Sequence, residues 1–525
     1  MGSRTKFAAA ALLVAVAMGF LFWTVKSNGI FATPPVTKFD TPVPARPPNF
    51  PQMLAQMRAA ESVADPFERC ANYPDPPWIH WDHNLVVAFC KSRSFDHIEL
   101  DDIDSALSAN RSEEVDATFA AYLADNFSDS GKHGMLTRVY REVFSVDSEQ
   151  ARNVVTRWVA ARPKSAFALA ARGAYYEVAA GSARGGEYAK DTPAESFRRM
   201  EELDAKAEAD LRKAVQIEPR LTAAYDSMIF VGRKSSNAAL VAEALHAALA
   251  IDPTDERFYL DWMATCEPRW GGTLDSMAHV ADEAERHVKA NPLMKLVREK
   301  QRAYFGIIEK NNDNYQAALA AFEQALAIAP SPVDLGEAAE VAGKIGLYEK
   351  AIWYYSEALR FNRFADASDL TARSWLLGQI GQSDLAAADL RTVASVTPRG
   401  EDDLYQQAWA AFGMHDYVRA ETTYRKVLKI NSRNQGALLD LSKLYVELKR
   451  VREAEPLVAN LKRFYPTIPM TWYRAASLSE ATGSDANEVA ALKRYLDLVD
   501  SKDPDEQPHI DYARIRLRRL GNVDR

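Results

Sequence analysis

The segment YQAALAAFEQALAIAP, from Tyr315 to Pro330, carries the pattern from which the architecture of the chain can be predicted. Ala318, Phe322 and Ala325 are spaced i, i+4 and i+7, so in a helix they share one stripe of the surface. Small side chains in such a stripe let a neighbouring helix approach closely, and a proline such as Pro330 cannot continue a helix. The segment therefore predicts one helix that packs tightly against a partner helix.

The same stripe recurs along the chain at a nearly constant period. Its first residues are Ala207, Val241, Val280, Ala318, Ala351, Ala386, Ala420, Ala454 and Glu488. Successive members are 34, 39, 38, 33, 35, 34, 34 and 34 residues apart. We call these first residues the anchors of the repeat. About 12 residues before the anchors lies a second helical stripe, with small residues at Gly306, Ala339, Ala408, Ser442 and Ala476. Each unit is therefore predicted to be a pair of helices.

This pattern resembles the tetratricopeptide repeat. The matching residues are Gly306, Tyr315, Ala318, Phe322, Ala325 and Pro330 in one unit, Tyr445, Ala454 and Pro466 in another, and Trp472 in the last. The resemblance covers roughly residues 200–500 and is degenerate at 366–400 and in the two longer units. It implies an all-α, right-handed α-solenoid of helix pairs, with the first helix of each pair lining a concave groove. It also implies a binding scaffold rather than an enzyme.

Eight residues fall in the groove, or close to it, on the register of that family. They are Tyr304, Lys344, Tyr405, Trp409, Phe412, Lys443, Tyr473 and Arg474. Tyr405, Trp409 and Phe412 form an aromatic stripe at i, i+4 and i+7. Aromatic side chains with basic neighbours suit an extended peptide, or a helix that carries acidic residues. The alternative is that these side chains pack between adjacent helices.

The segment from Phe7 to Val25 contains 19 residues without a charged side chain. A helix of this length just spans a hydrocarbon core of about 30 Å. Arg4 and Lys6 precede it, and positive charge favours retention of that side in the cytoplasm. We therefore expect residues 1–26 to form a cytoplasmic tip and a single transmembrane helix in a bacterial inner membrane, with the soluble region in the periplasm. A cleaved signal peptide is the alternative.

Composition divides the remainder of the chain into five segments. These are a Pro-rich linker at 27–66, an N-terminal helical region at 67–190, divergent helical repeats with long loops at 191–298, TPR-like repeats at 299–503 and a C-terminal capping helix at 504–525. The linker is predicted from seven prolines between positions 31 and 51, a composition typical of an extended spacer. The cap is predicted because a terminal repeat needs a polar outer face, although its arginines could instead contact anionic lipid or a partner.

Two loops and one pair of cysteines are further candidate sites. The N-terminal half resembles an uncharacterised bacterial family of helical-repeat proteins, a domain of unknown function, through short motifs around Arg184 and Trp270. That resemblance implies no activity, so these loops are either packed corners between helices or rims that contact a ligand. Cys70 and Cys90 could close a disulfide in an oxidising compartment, or they remain two buried thiols.

The sequence carries few signals of catalysis. It contains no Walker loop and no HExxH, GxSxG or CxxC motif. His80, Asp82 and His83 are metal ligands by residue type, but they do not define a site without a third, distant ligand. The net charge is 64 − 72 = −8, which lacks the basic footprint of a nucleic-acid binder. We therefore predict no enzymatic activity, no cofactor, no metal and no nucleic-acid partner.

The predicted transmembrane helix, the Pro-rich linker and the helical repeat together favour a membrane-anchored scaffold for protein–protein interaction. The scaffold would act in a bacterial envelope assembly related to secretion, a pilus or a surface polymer. Its partners would be envelope proteins. One alternative is an immunity or inhibitor protein that caps a secreted toxin. The other is a glycan- or peptide-binding protein, or an enzyme, that uses the loops near Arg184 and Trp270.

Overall fold

The computed structural model describes residues 47–521 except residue 48, residue 77, 129–133, 186–191, 363–365, residue 399 and 502–505. The predicted transmembrane helix at 1–26 and the first part of the predicted linker lie outside these residues. Within them the regular secondary structure is helical, which confirms the all-α repeat fold. None of the helices so described is both long enough and apolar enough to cross a bilayer.

Among the described residues, seven helices precede the repeat array. They are α1 (Phe50–Glu61), α2 (Pro66–Ala71), α3 (His83–Arg93), α4 (Leu100–Ser108), α5 (Ser112–Asn126), α6 (Met135–Val143) and α7 (Glu149–Ala161). Helices α4 to α7 share one apolar core with the first pairs of the array. Phe119 is fully buried in this core, and its ring lies 5.1 Å from that of Trp158.

Nine helix pairs follow, and the two helices of a pair pack along each other. The first helices are α8 (Ala166–Arg184), α10 (Thr222–Lys234), α12 (Glu256–Thr265), α14 (Lys295–Asn311), α16 (Pro332–Lys344), α18 (Ala367–Gln379), α20 (Glu401–Gly413), α22 (Gln435–Glu447) and α24 (Pro469–Ala481). The second helices are α9 (Ala194–Ile217), α11 (Ala238–Ile251), α13 (Leu274–Glu285), α15 (Tyr315–Leu326), α17 (Tyr348–Phe361), α19 (Ser383–Ser395), α21 (Tyr417–Ile430), α23 (Val451–Phe464) and α25 (Asp485–Leu498). A last helix, α26 (Gln507–Arg519), packs on the final pair.

The anchors of the sequence repeat all lie in second helices, and eight of the nine are buried; Ala386 is partly buried. The small residues of the first helices meet them closely. At Gly306, an added Cβ would come within 2.8 Å of the ring of Phe322 in α15. The stripe that predicted the repeat is therefore the contact between the two helices of each pair.

The two helices of most pairs are joined by the same tight turn. In seven pairs its middle residue has φ between 54° and 78°, in the left-handed region. These residues are Ser236, Asp313, Gly346, Gly381, His415, Lys449 and Gly483. A left-handed residue reverses the chain immediately after a helix, which is why both helices of a pair can pack along their whole length.

The first helices form the inner face of the array. Consecutive first helices contact each other along most of it, whereas consecutive second helices are held further apart by the first helices between them. The array therefore curves with its first helices on the concave side, as the resemblance to tetratricopeptide repeats implies.

Residues 49–93, here called the strap, cross the outer side of the second helices α15, α17 and α19. The Trp81 indole N–H donates to the Leu326 carbonyl at the end of α15, at 2.6 Å. The Trp78 ring lies 5.6 Å from that of Trp353 in α17. Arg58 pairs with Asp389 of α19 at 2.8 Å. Helix α17 is consequently buried on nearly all sides.

The predicted extent of the Pro-rich linker, 27–66, is wrong at its C-terminal end, because α1 begins at Phe50 and packs on the array. The prolines here occupy first turns of helices, at Pro51 and Pro66, where a missing N–H is tolerated. Cys70 and Cys90 form a disulfide that joins α2 to α3, with their Cα atoms 5.6 Å apart.

Helix α26 packs on α25 through Ile510, Ala513 and Leu517, which are buried. Arg516 pairs with the buried anchor Glu488, with Nε to Oε1 at 2.6 Å. At least this arginine of the YARIRLRRL segment therefore serves a contact within the fold.

Candidate functional site

The concave face contains a cleft between α16 and α18, which are the consecutive first helices with the weakest mutual contact. The cleft has a volume of about 330 Å³. Its lining residues are Ala339, Glu340, Gly343 and Lys344 of α16, Tyr355 of α17, Ser368, Thr371, Ala372, Trp375 and Leu376 of α18, and Gln406 and Trp409 of α20.

Two tryptophans from equivalent positions of successive first helices line this cleft. Trp375 follows Ser374, which is buried and donates to the Ala386 carbonyl of α19 at 3.0 Å. Consecutive residues of a helix point about 100° apart, so the next side chain turns away from the pair contact and into the cleft. Trp375 is 43% exposed, and Tyr348 packs edge-on against its ring at 5.9 Å. Trp409 occupies the same place one unit later.

The floor of the cleft is partly polar. The Thr371 hydroxyl is buried and has no hydrogen-bond partner among the described residues. A buried polar group without a partner costs free energy, so a ligand that hydrogen-bonds to it would gain affinity. Burial, followed by the charges of Asp369 and Glu340, raises the pKa of Tyr355. The Tyr355 phenol therefore stays protonated and can act as a donor.

Charges of both signs surround the cleft. Burial, followed by the neighbouring charge of Asp366, raises the pKa of Asp369 to about 7. Lys310 pairs with Glu340 at 2.6 Å on one rim. The Lys344 ammonium lies 5.8 Å from the centre of the Tyr315 ring, so its long side chain extends along α15. The cleft therefore has apolar walls and a mixed-charge rim.

The structure brings two of the eight predicted groove residues, Lys344 and Trp409, into this cleft. Trp375 is not among the groove residues predicted from the sequence, because the repeat is degenerate at 366–400 and the first helix of that unit is not aligned there. The signal was nevertheless present, since Trp375, Trp409 and Lys443 follow one another at intervals of 34 residues. The Lys443 side chain is 40% exposed on α22.

The predicted aromatic stripe of α20 is divided between two environments. The Tyr405 hydroxyl donates to Asp440 of α22 at 2.8 Å. Its ring lies against Gly436, where an added Cβ would come within 2.7 Å. Phe412 packs on Tyr417, with ring centres 5.8 Å apart. Tyr405 therefore packs between α20 and α22, and Phe412 packs against the second helix of its own pair.

Three predicted groove residues pack elsewhere. Tyr304 is 7% exposed and lies in a core cluster, so the prediction that it lines the groove is wrong. The Tyr473 ring lies 5.3 Å from that of Tyr495 and 4.8 Å from that of His509, under the cap helix. Arg474 donates from Nε to the Leu439 carbonyl at 3.2 Å, which ties α24 to α22.

The two predicted loop residues do not share a site. Trp270 is 53% exposed and lines a separate cleft of about 590 Å³ with Trp262. The loop that carries Trp270 turns back over the end of α12. Only a glycine fits at position 272 of this loop, because an added Cβ would lie 2.1 Å from the Cys266 carbonyl oxygen. Arg184 is not part of that lining; its guanidinium lies 5.8 Å from the ring of Phe197.

In the WIHWDH segment, Asp82 makes contacts that stabilise the fold. Asp82 caps α3 by accepting from the Asn84 N–H at 2.8 Å, and it pairs with Lys295 at 3.3 Å. These hydrogen bonds lower the pKa of Asp82, the backbone bond most. Across the residues that the structure describes, no three His, Cys, Asp or Glu side chains are grouped to hold a metal ion.

Comparisons with known proteins show one family match and several similar solved structures. The family model of the tetratricopeptide repeat matches residues 411–468. The chain is similar to a tetratricopeptide repeat protein from Parabacteroides merdae, at 15% identity over 57% of this chain and 99% of that chain, with a TM-score of 0.36. It is similar to the APC/C hetero-tetramer Cut9–Hcn1, at 13% identity over 90% of this chain and 96% of that chain, with a TM-score of 0.41. It is also similar to PilW, a type IV pilus biogenesis factor, at 16% identity over 38% of this chain and 89% of that chain, with a TM-score of 0.24.

A comparison with curated proteins gave no match. The match at 411–468 covers the end of α20 and all of α21, α22 and α23, where the 34-residue spacing is most regular. The described chain is therefore built of helical repeats, and residues 411–468 of it match the model of the tetratricopeptide repeat.

Proposed function

We propose that the protein is a scaffold whose concave cleft between α16 and α18 binds a segment of a protein partner. The observation that carries this proposal is the exposure of Trp375 in a gap between two first helices, with Trp409 beside it. A large apolar side chain half exposed in a concave site is typical of an interaction surface, where such residues dominate binding energy.

The lining of the cleft suggests the chemistry of the bound segment. An apolar or aromatic side chain of the partner fits between Trp375 and Trp409. The unpartnered Thr371 hydroxyl suits a main-chain group of the partner, since an extended segment presents such groups. Lys443, one unit further along, lies 5.1 Å from the Phe412 ring and remains exposed enough to meet an acidic residue. The segment would thus be apolar at the cleft and acidic towards α22.

Selection from a random displayed peptide library on the immobilised full-length chain tests this proposal. Selected peptides are then titrated against the wild type, Trp375→Ala and Trp270→Ala. We expect Trp375→Ala to weaken binding about tenfold or more, the usual effect of removing a central aromatic residue. Trp270→Ala removes an exposed tryptophan outside the cleft and should leave affinity unchanged. An equal loss of affinity in both variants, or a library from which no peptide is selected, would contradict the proposal.

The proposal includes a location. Residues 1–26 would anchor the chain in a bacterial inner membrane, and the array would act in the periplasm as part of an envelope assembly with envelope proteins as partners. The uncharged segment from Phe7 to Val25, preceded by Arg4 and Lys6, supports this location. Protease treatment of spheroplasts tests it: digestion of the array is expected, and protection of the array in intact spheroplasts would contradict it.

The cleft at Trp270 supports a second candidate function, the binding of a small glycan or another flat ligand. Two tryptophans, Trp262 and Trp270, face the same cleft, and stacking on such rings is a common way to hold a flat ligand. A ligand screen that follows the fluorescence of these tryptophans tests this candidate. A Trp270→Ala variant that binds every hit as the wild type does would exclude it.

A further inference from the structure

A third cavity lies where the strap, helix α6 and helix α12 meet, apart from the cleft at Trp375 and the cleft at Trp270. Its volume is about 180 Å³, roughly that of six water molecules in the liquid. The charged residues in its lining are Arg93 of α3, Arg138, Arg141 and Glu142 of α6, and Glu256 and Arg257 of α12. The remaining lining is mostly leucine and phenylalanine. Four positive and two negative side chains thus face one small space.

Most of these charges have partners behind the cavity wall. Arg138 donates to Glu256, and both are buried. Arg141 forms a bidentate pair with Asp226, at 2.9 Å and 2.6 Å. The Glu142 Oε2 atom lies 2.8 Å from Nε2 of His97, within hydrogen-bond distance. Both glutamates of the lining are therefore paired with other side chains, although their negative charges also act to raise the pKa of Arg93.

Arg257 is only partly satisfied. It is 5% exposed, and its Nε and Nη2 donate to Asp255 at 3.1 Å and 2.6 Å. Its Nη2 also donates to the Gly134 carbonyl. Its Nη1, by contrast, is buried and has no hydrogen-bond partner among the described residues. A guanidinium held this rigidly on one side presents its remaining N–H groups in a fixed direction.

Arg93 has no carboxylate partner among the described residues. Its Nε is buried without a hydrogen bond, and its guanidinium lies 5.5 Å from the Phe89 ring. Burial, followed by the neighbouring positive charge of Arg138, lowers the pKa of Arg93 to about 10. An arginine is nevertheless still charged at neutral pH, and a charge without a hydrogen-bonded counter-ion is costly in such surroundings. Such groups call for an explanation, and a bound ion is a common one.

We propose that this cavity binds a small oxyanion, a carboxylate or phosphate group, between Arg93 and the free Nη1 of Arg257. Guanidinium groups match the geometry of both oxyanions through paired N–H donors. The ligand would bridge the strap to the array, because Arg93 belongs to α3 and Arg257 to α12. Occupancy would therefore stabilise the position of the strap.

Thermal unfolding and calorimetric titration of the full-length chain test this proposal. The probes are inorganic phosphate and succinate at constant ionic strength, with chloride as the reference anion. The variants are Arg93→Gln and, as a matched control on the same helix, Lys91→Gln, whose side chain is exposed. Arg93 is chosen because it has no partner that its replacement would strand.

We expect one or both probes to raise the Tm of the wild type and of Lys91→Gln in a saturable manner, and chloride not to do so. Arg93→Gln should weaken binding about ten- to hundredfold, the effect of losing hydrogen bonds from a charged donor. Without the probe, Arg93→Gln should melt at or above the wild-type temperature, because a half-buried charge without a hydrogen-bonded partner is removed. The absence of any shift, an equal shift in Arg93→Gln, or a marked fall in its Tm without the probe would each overturn the proposal.

Discussion

At the scale of single residues, the turn inside a helix pair depends on one left-handed position. Gly381 has φ of 78° and ends α18, whereas Gly378, three residues earlier, is helical with open space around it. An alanine is strained at the first position and favoured at the second. We expect Gly381→Ala to lower, and Gly378→Ala to raise, the free energy of unfolding by about 1 kcal/mol each. Thermal unfolding of both variants measures this; shifts of the same sign would contradict it.

A second residue-scale prediction concerns Asp369 beneath the cleft. Its pKa of about 7 in the folded state exceeds the value of about 3.9 expected when unfolded, so the folded state binds this proton more tightly. The stabilising contribution of protonation is complete below about pH 4 and is lost as the pH rises through 7.

Asp369→Asn removes this dependence. We expect the variant to exceed the wild type in stability at pH 8, by up to about 4 kcal/mol, and to match it at pH 4.5. Asp384→Asn, on an exposed position of α19, should change stability little at either pH. Melting curves at the two pH values distinguish the variants. A gain for Asp369→Asn that is larger at pH 4.5 would show that the sign is wrong.

At the scale of elements, the strap is held both by its own disulfide and by α17. Cys70 and Cys90 are 20 residues apart, and closing a loop of this size stabilises a fold by about 3 kcal/mol. The Arg360 Nε of α17 also donates to the Cys70 carbonyl at 2.8 Å, so loosening the loop exposes α17. The strap and α17 should therefore open together when the disulfide is removed.

Hydrogen exchange of a Cys70→Ser, Cys90→Ser double variant measures this coupling. We expect amides of α17 to exchange about a hundredfold faster, and those of α22 to α25 to be unchanged, because local opening energies are independent in distant repeats. Cys266→Ser, which removes the free cysteine, is the control. Uniform acceleration along the whole array would contradict a local role for the strap.

At the scale of the whole molecule, the repeat could be predicted because its determinant is local: small residues that recur every 34 positions are the contacts within each pair. The strap could not, since Arg360 and Cys70 are 290 residues apart and no short pattern encodes that contact. The cleft could be predicted from the sequence only in part. The register predicts a groove position for Trp409, which lines the cleft, but it does not predict Trp375, which lies where the period weakens. The prediction that Tyr304 lines the groove is wrong because the long loop after α12 covers this side chain.

Site-specific photo-crosslinking in cells that produce the protein shows whether the concave cleft binds a protein partner. A photoreactive phenylalanine derivative is placed at position 375 in the cleft or, as a control, at position 418 on the outer helix α21, where Val418 is 79% exposed. We predict a discrete protein adduct from position 375 that is absent from position 418 and is lost in a folded Trp409→Ala variant. The same adduct from position 418, or none from position 375, would contradict the claim.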